Sequence, residues 1–235
     1  MTRIFRPTPP AFPEGTVLAE YDSRHSKRIA RDEAALPTEE RAFAETLRSA
    51  TRRAGFTSGR LALHAALAES EQRLHAAKAV LRDQRGRPMP TWPDAAPISI
   101  AHSRLRAIAA VGRSSACAAI GVDVEEIDEH RAHALVRMSL SEAELTLVRT
   151  VDTAMLAGPI ALWCARESCV KAHALEVGWF GTALVATRFD VCAPCIEGAE
   201  RAWNLEISFE SQPPMRAHAW QSRDAIFAVA ARMTS

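Results

Sequence analysis

"PISIAHSRLRAIAAVGRSSACAAIGVDVEEID", Pro97 to Asp128, is the stretch on which the fold class turns. Three β-type runs lie within it, at 97–101, 105–111 and 117–124. The gaps between them are too short for the helical crossover a parallel pair needs, so the stretch reads as an antiparallel meander. Upstream, "TVLAEYD" (16–22) is a further short strand, and helical spacing follows over about 38–50 and 57–80. Pro37-Thr38 opens the first helix, and the second has Arg60 in its first turns. Gly86 and the prolines of "VLRDQRGRPMP" (80–90) mark a turn. Downstream, Ser141 and Glu144 have capping-box spacing and open a helix over about 142–150. A longer helix covers about 158–175. Four β-type runs close the chain at 183–191, 203–210, 215–222 and 225–232. Both halves mix helices with antiparallel strands, which predicts an α+β protein of two subdomains meeting near 112–118.

The chain has 235 residues, 48% hydrophobic and 24% charged, ample for a sizeable core. A net charge of +1 gives no bias toward nucleic acid or membrane. No apolar run approaches the ~20 residues of a membrane span. The proline-rich start "MTRIFRPTPPAFPEG" has no apolar signal core, which predicts a cytoplasmic protein. Five scattered cysteines suit a reducing compartment better than a disulfide framework. "CAPC" (192–195) has C-x-x-C spacing but no second Cys/His pair to complete a zinc site, so free thiols near a strand end are expected. Of the 29 basic residues, only Lys27, Lys78 and Lys171 are lysine.

Four groups of residues could support chemistry. In "IGVDVEEID" (120–128), Asp123 and Glu125 share one face of a strand with an apolar lead-in. Buried there, the two carboxylates would repel each other, and a hard cation such as Mg²⁺ would relieve the repulsion. A strand running out into solvent would carry the same acids. In "LWCARESCVKA" (162–172), Glu167 and Lys171 lie four apart on one helix face. Such a pair is either a surface ion pair or two groups aimed at a ligand. The choice of lysine in an arginine-rich chain favours a site that needs a compact charge with a tunable pKa. His102, in the connection after 97–101, is either a ligand contact or a half-exposed loop histidine. Arg60 in "TSGRLAL" and Arg87 in "RGRP" are candidate phosphate holders.

Together these residues resemble the Sfp-type 4′-phosphopantetheinyl transferases. "GVDVE" (121–125) and "WCARESCVK" (163–171) are similar to that family's G-(I/V)-D-(I/V)-E strand and W-x-x-K-E-x-x-x-K helix. "GRP" (86–88) and "AHS" (101–103) stand where the family has G-K-P and S-H-S. "FTSGRLALHAAL" (56–67) resembles the F-x-x-G-R helix of the branch serving siderophore synthesis. The likeness runs from about residue 56 to 171. It departs at Arg166 and Arg87, which replace lysines, and at Ala101, which replaces a serine.

The resemblance implies two similar subdomains, each a small antiparallel sheet packed with helices, related by pseudo-two-fold symmetry. Residues 1–114 would hold the nucleotide end of coenzyme A, and 115–235 the metal site. It implies Mg²⁺-dependent transfer of 4′-phosphopantetheine from coenzyme A to a serine of an apo acyl, peptidyl or aryl carrier protein. Adenosine 3′,5′-bisphosphate is released. Asp123, Glu125 and Glu167 would hold Mg²⁺, with Asp123, Glu167 and Lys171 catalytic. Lys171 and His102 would contact phosphates, and Arg60 and Arg87 would hold the nucleotide end. Glu167 is the first candidate for general base. A cytoplasmic monomer engaged in secondary metabolism, with no nucleic-acid or membrane partner, completes the expectation. A non-catalytic coenzyme A-binding module and a Mg²⁺-dependent phosphohydrolase are the alternatives.

Overall fold

The computed structural model describes residues 2–7, 12–24, 26–173, 184–209 and 212–234. Among them the chain divides into two compact units, residues 1–119 with 233–235, and 120–232. The class is α+β, with antiparallel sheets and helices in both units.

Unit 1 holds strands β1 (Thr2–Phe5) and β2 (Val17–Asp22), then helices α1 (Ser26–Asp32), α2 (Thr38–Thr46) and α3 (Ala50–Ala68). The hairpin β3 (Val80–Arg82) and β4 (Pro88–Pro90) follows, and then β5 (Ile98–His102) and β6 (Arg106–Val111). The main sheet has the order β1-β2-β6-β5, each pair antiparallel. Strand alternation turns Val17, Ala19 and Tyr21 of β2, with Ala107, Ala109 and Val111 of β6, toward Ala62, Leu63, Ala66 and Leu67 of α3. Fully burying each large apolar side chain there contributes about 1.5–3 kcal/mol.

Helix α3 differs from the expected 57–80 at both ends. It starts at Ala50 because the Ser49 side chain accepts a hydrogen bond from Arg52 N. It stops at Ala68 because Ser70 Oγ turns back to Leu67 O and also accepts from Gln72 N. Arg60 therefore sits mid-helix and not in the first turns. His102 is the last residue of β5, not part of a connection.

Unit 2 begins in β7 (Cys117–Glu126), whose first residues belong to unit 1. Then come α4 (Glu129–Ser139), α5 (Glu142–Val151), α6 (Ala157–His173), β8 (Leu184–Cys192), β9 (Arg201–Phe209), β10 (Gln212–Ser222) and β11 (Ala225–Met233). The sheet order is β7-β11-β10-β9-β8. The expected meander thus holds only for β5 and β6; β7 leaves to join the second sheet beside β11. The capping box at α5 is present, with Ser141 Oγ accepting from Glu144 N and the Glu144 carboxylate accepting from Ser141 N. Helix α6 begins where Asp152 Oδ2 accepts from the amides of Leu156 and Gly158. Its residues Ile160, Ala161, Cys164, Ala165 and Cys169 join a core with Trp203, Leu205, Ala217 and Ala219. The predicted ends of α6 at 174–175 and of β8 at 183 lie outside the described residues. Among the described residues, no helix is long and apolar enough to cross a membrane.

Candidate active site

In unit 2 the acids are brought together by one glycine. A Cβ on Gly121 would stand 1.9 Å from Ser168 O and 2.7 Å from Ala172 N, so the backbone of α6 lies directly on β7. Residues 167 and 171 of α6 lie next to that contact, near Asp123. Lys171 Nζ donates to Asp123 Oδ1 at 2.8 Å and to Val122 O at 2.9 Å. Asp123 is 8% exposed, and its Oδ2 is buried without a hydrogen-bond partner. Arg131, on α4, pairs with Glu125 and lies over the Trp163 ring at 5.6 Å.

The charge of Asp123 acts on both other carboxylates. Burial pushes the Glu125 carboxyl up to about 7, the Asp123 charge adding to the rise while Arg131 opposes it. Burial also raises Glu167, again with Asp123 adding and with Lys171 and Arg131 opposing. Desolvated acids that repel one another form a site that gains from added positive charge.

Among the described residues, no group of three or more His, Cys, Asp or Glu side chains stands gathered as a metal cage. Lys171 and Arg131 occupy oxygens of Asp123 and Glu125 instead. The donor set nevertheless fits a hard divalent cation. It consists of carboxylates, one with an unpartnered buried oxygen, which is the ligand chemistry such ions favour.

Arg166, adjacent to Glu167, points elsewhere. It is 7% exposed, donates to Ser139 O at 2.7 Å and pairs with Glu144. Glu144 in turn accepts from Ala186 N at 2.8 Å, so Arg166 braces α6 against α5 and β8.

Unit 1 has a concavity lined by several basic side chains. A cavity of about 370 Å³ is lined by Arg52, Phe56, Arg60, Arg82, Gly86 and His102 among others. Arg60 is 3% exposed, lies over the Phe56 ring at 5.2 Å and donates to Leu81 O at 3.3 Å. Its Nη1 is buried without a hydrogen-bond partner, and burial lowers its pKa. Arg82 lies over Phe43 at 4.9 Å. Gly55 and Gly59 open one face of α3 to β5: a Cβ on Gly55 would meet the His102 ring at 2.6 Å, and one on Gly59 would meet Ile100 at 2.7 Å. Arg87 does not line this cavity. Its amide donates to Asp83 Oδ1 at 2.8 Å within the turn that Gly86, at φ +81°, makes possible.

Two family models match the chain. One, for the 4′-phosphopantetheinyl transferase superfamily, covers residues 119–229, and one, for the 4′-phosphopantetheinyl transferase N-terminal domain, covers 38–112. The chain belongs to the 4′-phosphopantetheinyl transferase superfamily. A comparison with curated whole sequences found no match. Enzymes of this superfamily use coenzyme A and act on carrier proteins. Within the transferase, the superfamily model spans α6 and nearly all of unit 2's sheet, whereas the N-terminal model spans α3, β5 and β6 but not β1 or β2. Arg131, Arg52, Arg82 and the rings of Phe43 and Phe56 escaped sequence reading. In a chain this rich in arginine, only the fold distinguishes those at a site. Cys192 and Cys195 are free thiols.

Proposed function

We propose that the protein is an Sfp-type enzyme of the siderophore-synthesis-like branch. It moves 4′-phosphopantetheine from coenzyme A to a serine of an apo acyl, peptidyl or aryl carrier protein and releases adenosine 3′,5′-bisphosphate. The observation that supports this most is the seating of α6 on Gly121, which sets Glu167 and Lys171 beside Asp123.

Asp123, Glu125 and Glu167 are the residues that would hold Mg²⁺. Bound there, the ion would draw off negative charge developing on the pyrophosphate. Lys171 supplies a compact cation for a phosphate oxygen, its ammonium already held by donation to Val122 O. Glu167 takes the proton of the carrier serine hydroxyl. In unit 1, Arg60 Nη1, which makes no hydrogen bond and lies 3.8 Å from Glu40 Oε1, is a donor for the nucleotide end of coenzyme A, including its 3′-phosphate. Arg82 is better placed for that role than Arg87, because it lines the cavity. His102 lines the same cavity and is a further phosphate contact. Free thiols suit work in the cytoplasm.

The test is incubation of the full chain with coenzyme A, Mg²⁺ and an apo carrier domain, read by mass spectrometry. A carrier heavier by one phosphopantetheine, with bisphosphate released in equal amount, supports the reading; Glu167→Gln and Asp123→Asn should both abolish the gain. Binding of coenzyme A with no gain on several carriers would leave a binding module. Bisphosphate released without any carrier would indicate a phosphohydrolase.

A further inference from the structure

The "CAPC" motif has no part in the chemistry above, yet it sits in a polar cluster of its own. Cys192 ends β8, and Cys195 follows the exposed Ala193 and Pro194. Cross-strand register pairs Asp190 with Asn204, Cys192 with Ala202, and Asn204 with His218. Alternation therefore puts Cys192, Asn204 and His218 on one face of the sheet. Trp203, Leu205, Ala217 and Ala219, whose side chains meet α6, are on the other.

His218 is 3% exposed, and its Nδ1 lies 2.9 Å from Asn204 Oδ1. A carboxamide oxygen only accepts, so Nδ1 carries the hydrogen and Nε2 the lone pair. Cys195 Sγ lies 3.2 Å from Nε2, placed to donate its S–H. Cys192 Sγ lies 3.9 Å from Nδ1, so both sulfurs meet the same imidazole. A thiol, a base and a group that orients the base are thus aligned.

We propose that Cys192 and Cys195 are a redox-active dithiol that closes to a disulfide by exchange with small-molecule disulfides, with His218 as proton acceptor and Asn204 as its positioning residue. Cys195 attacks one sulfur of the oxidant, its proton passing to His218 Nε2 and on to the departing thiolate. A mixed disulfide and one free thiol result. Cys192 then attacks Cys195 Sγ, breaking the mixed disulfide; its proton passes to the departing thiolate, which leaves as the second thiol, and the internal disulfide is formed. Two electrons leave the protein, two thiols are produced, and nothing else is consumed.

The local base is needed because burial pushes the Cys195 thiol up to about 11, with the Cys192 charge adding to the rise, so little thiolate exists near neutral pH. Burial holds His218 down to about 4, so it is neutral, with Nε2 free of a proton, and relays the thiol proton to the departing thiolate without storing it. Both thiols are half-buried and within reach of a small oxidant, whereas Cys117, Cys164 and Cys169 are at most 1% exposed.

The experiment treats the reduced full-length protein with excess oxidised glutathione and follows intact mass and peptide maps. The expected product has lost two hydrogens and carries one disulfide, within the 192–195 peptide. Cys192→Ser should stop at a stable glutathione adduct on Cys195. Asn204→Ala, at an exposed position, should slow exchange by about tenfold or more without moving the thermal midpoint, because a positioned base contributes ~10²–10⁴-fold. A separate glutathione on each cysteine, oxidation at Cys117, Cys164 or Cys169 instead, or no reaction would overturn the dithiol. An unchanged rate in Asn204→Ala would overturn the role of the His218–Asn204 pair.

Discussion

Gly121 and Ser168 are in backbone contact: the strand residue has no side chain because the carbonyl oxygen of the helix residue occupies the place a Cβ would take, at 1.9 Å. That contact sets the height of α6 on β7 and hence the relation of Glu167 and Lys171 to the acids of the strand.

Gly121→Ala should therefore harm both fold and activity. The obstructing atoms are backbone, which cannot rotate away, so the cost belongs at the upper end of overpacking, about 3 kcal/mol. Urea denaturation followed by the fluorescence of Trp163, Trp203 and Trp220 would measure it. A midpoint equal to that of the parent protein would show that the helix does not rest on this glycine.

Glu125 should make unit 2 sensitive to pH in metal-free buffer. Its folded pKa is raised from 4.5 to about 7, so the folded state holds the proton more tightly than the unfolded chain. The resulting stability is fully present below pH 4.5 and is lost as pH rises through about 7. Glu125→Gln lacks this loss, so its stability relative to the parent should climb by about 1–3 kcal/mol between pH 4.5 and 8. Parallel stability curves for the two proteins would refute the assignment.

Lys171→Arg retains the charge but not the fit. One ammonium bridges Val122 O and Asp123 Oδ1, whereas a longer planar fork cannot put a single donor at both acceptors. Transfer should fall by about tenfold or more with little change in thermal midpoint, as expected when a catalytic group is displaced by about an ångström. Full activity in this variant would remove the case for a specific lysine.

Arg166→Lys should show the opposite pattern. A lysine amine cannot serve Ser139 O and Glu144 together, and one buried acceptor is left unmade at about 1–3 kcal/mol. Stability should fall by that order, while the turnover of the protein that remains folded stays within about threefold of the parent's, less than the tenfold step of 1.4 kcal/mol. Turnover loss without a change in stability would place Arg166 in the reacting centre instead.

Arg60→Met should raise the KM for coenzyme A by about 10–100-fold, the value of a charge-assisted hydrogen bond to phosphate, and barely change the KM for the 3′-dephospho analogue. Equal increases for both substrates would mean that Arg60 supports the cavity without reading the 3′-phosphate.

The α+β class, the strand bearing Asp123 and Glu125, and the helix face shared by Glu167 and Lys171 were legible in the chain because each rests on short-range periodicity, two residues in a strand and four in a helix. The capping box at Ser141 and Glu144 was legible for the same reason. Helix α3 was misplaced because its ends depend on the side chains of Ser49 and Ser70 folding back on nearby backbone. Tertiary structure alone decided the rest. It sent β7 into the second sheet, turned Arg166 away from its neighbour Glu167, chose Arg82 over Arg87 for the cavity, and set Cys195 against His218. These outcomes depend on which distant segments pack together, and local spacing holds no record of that.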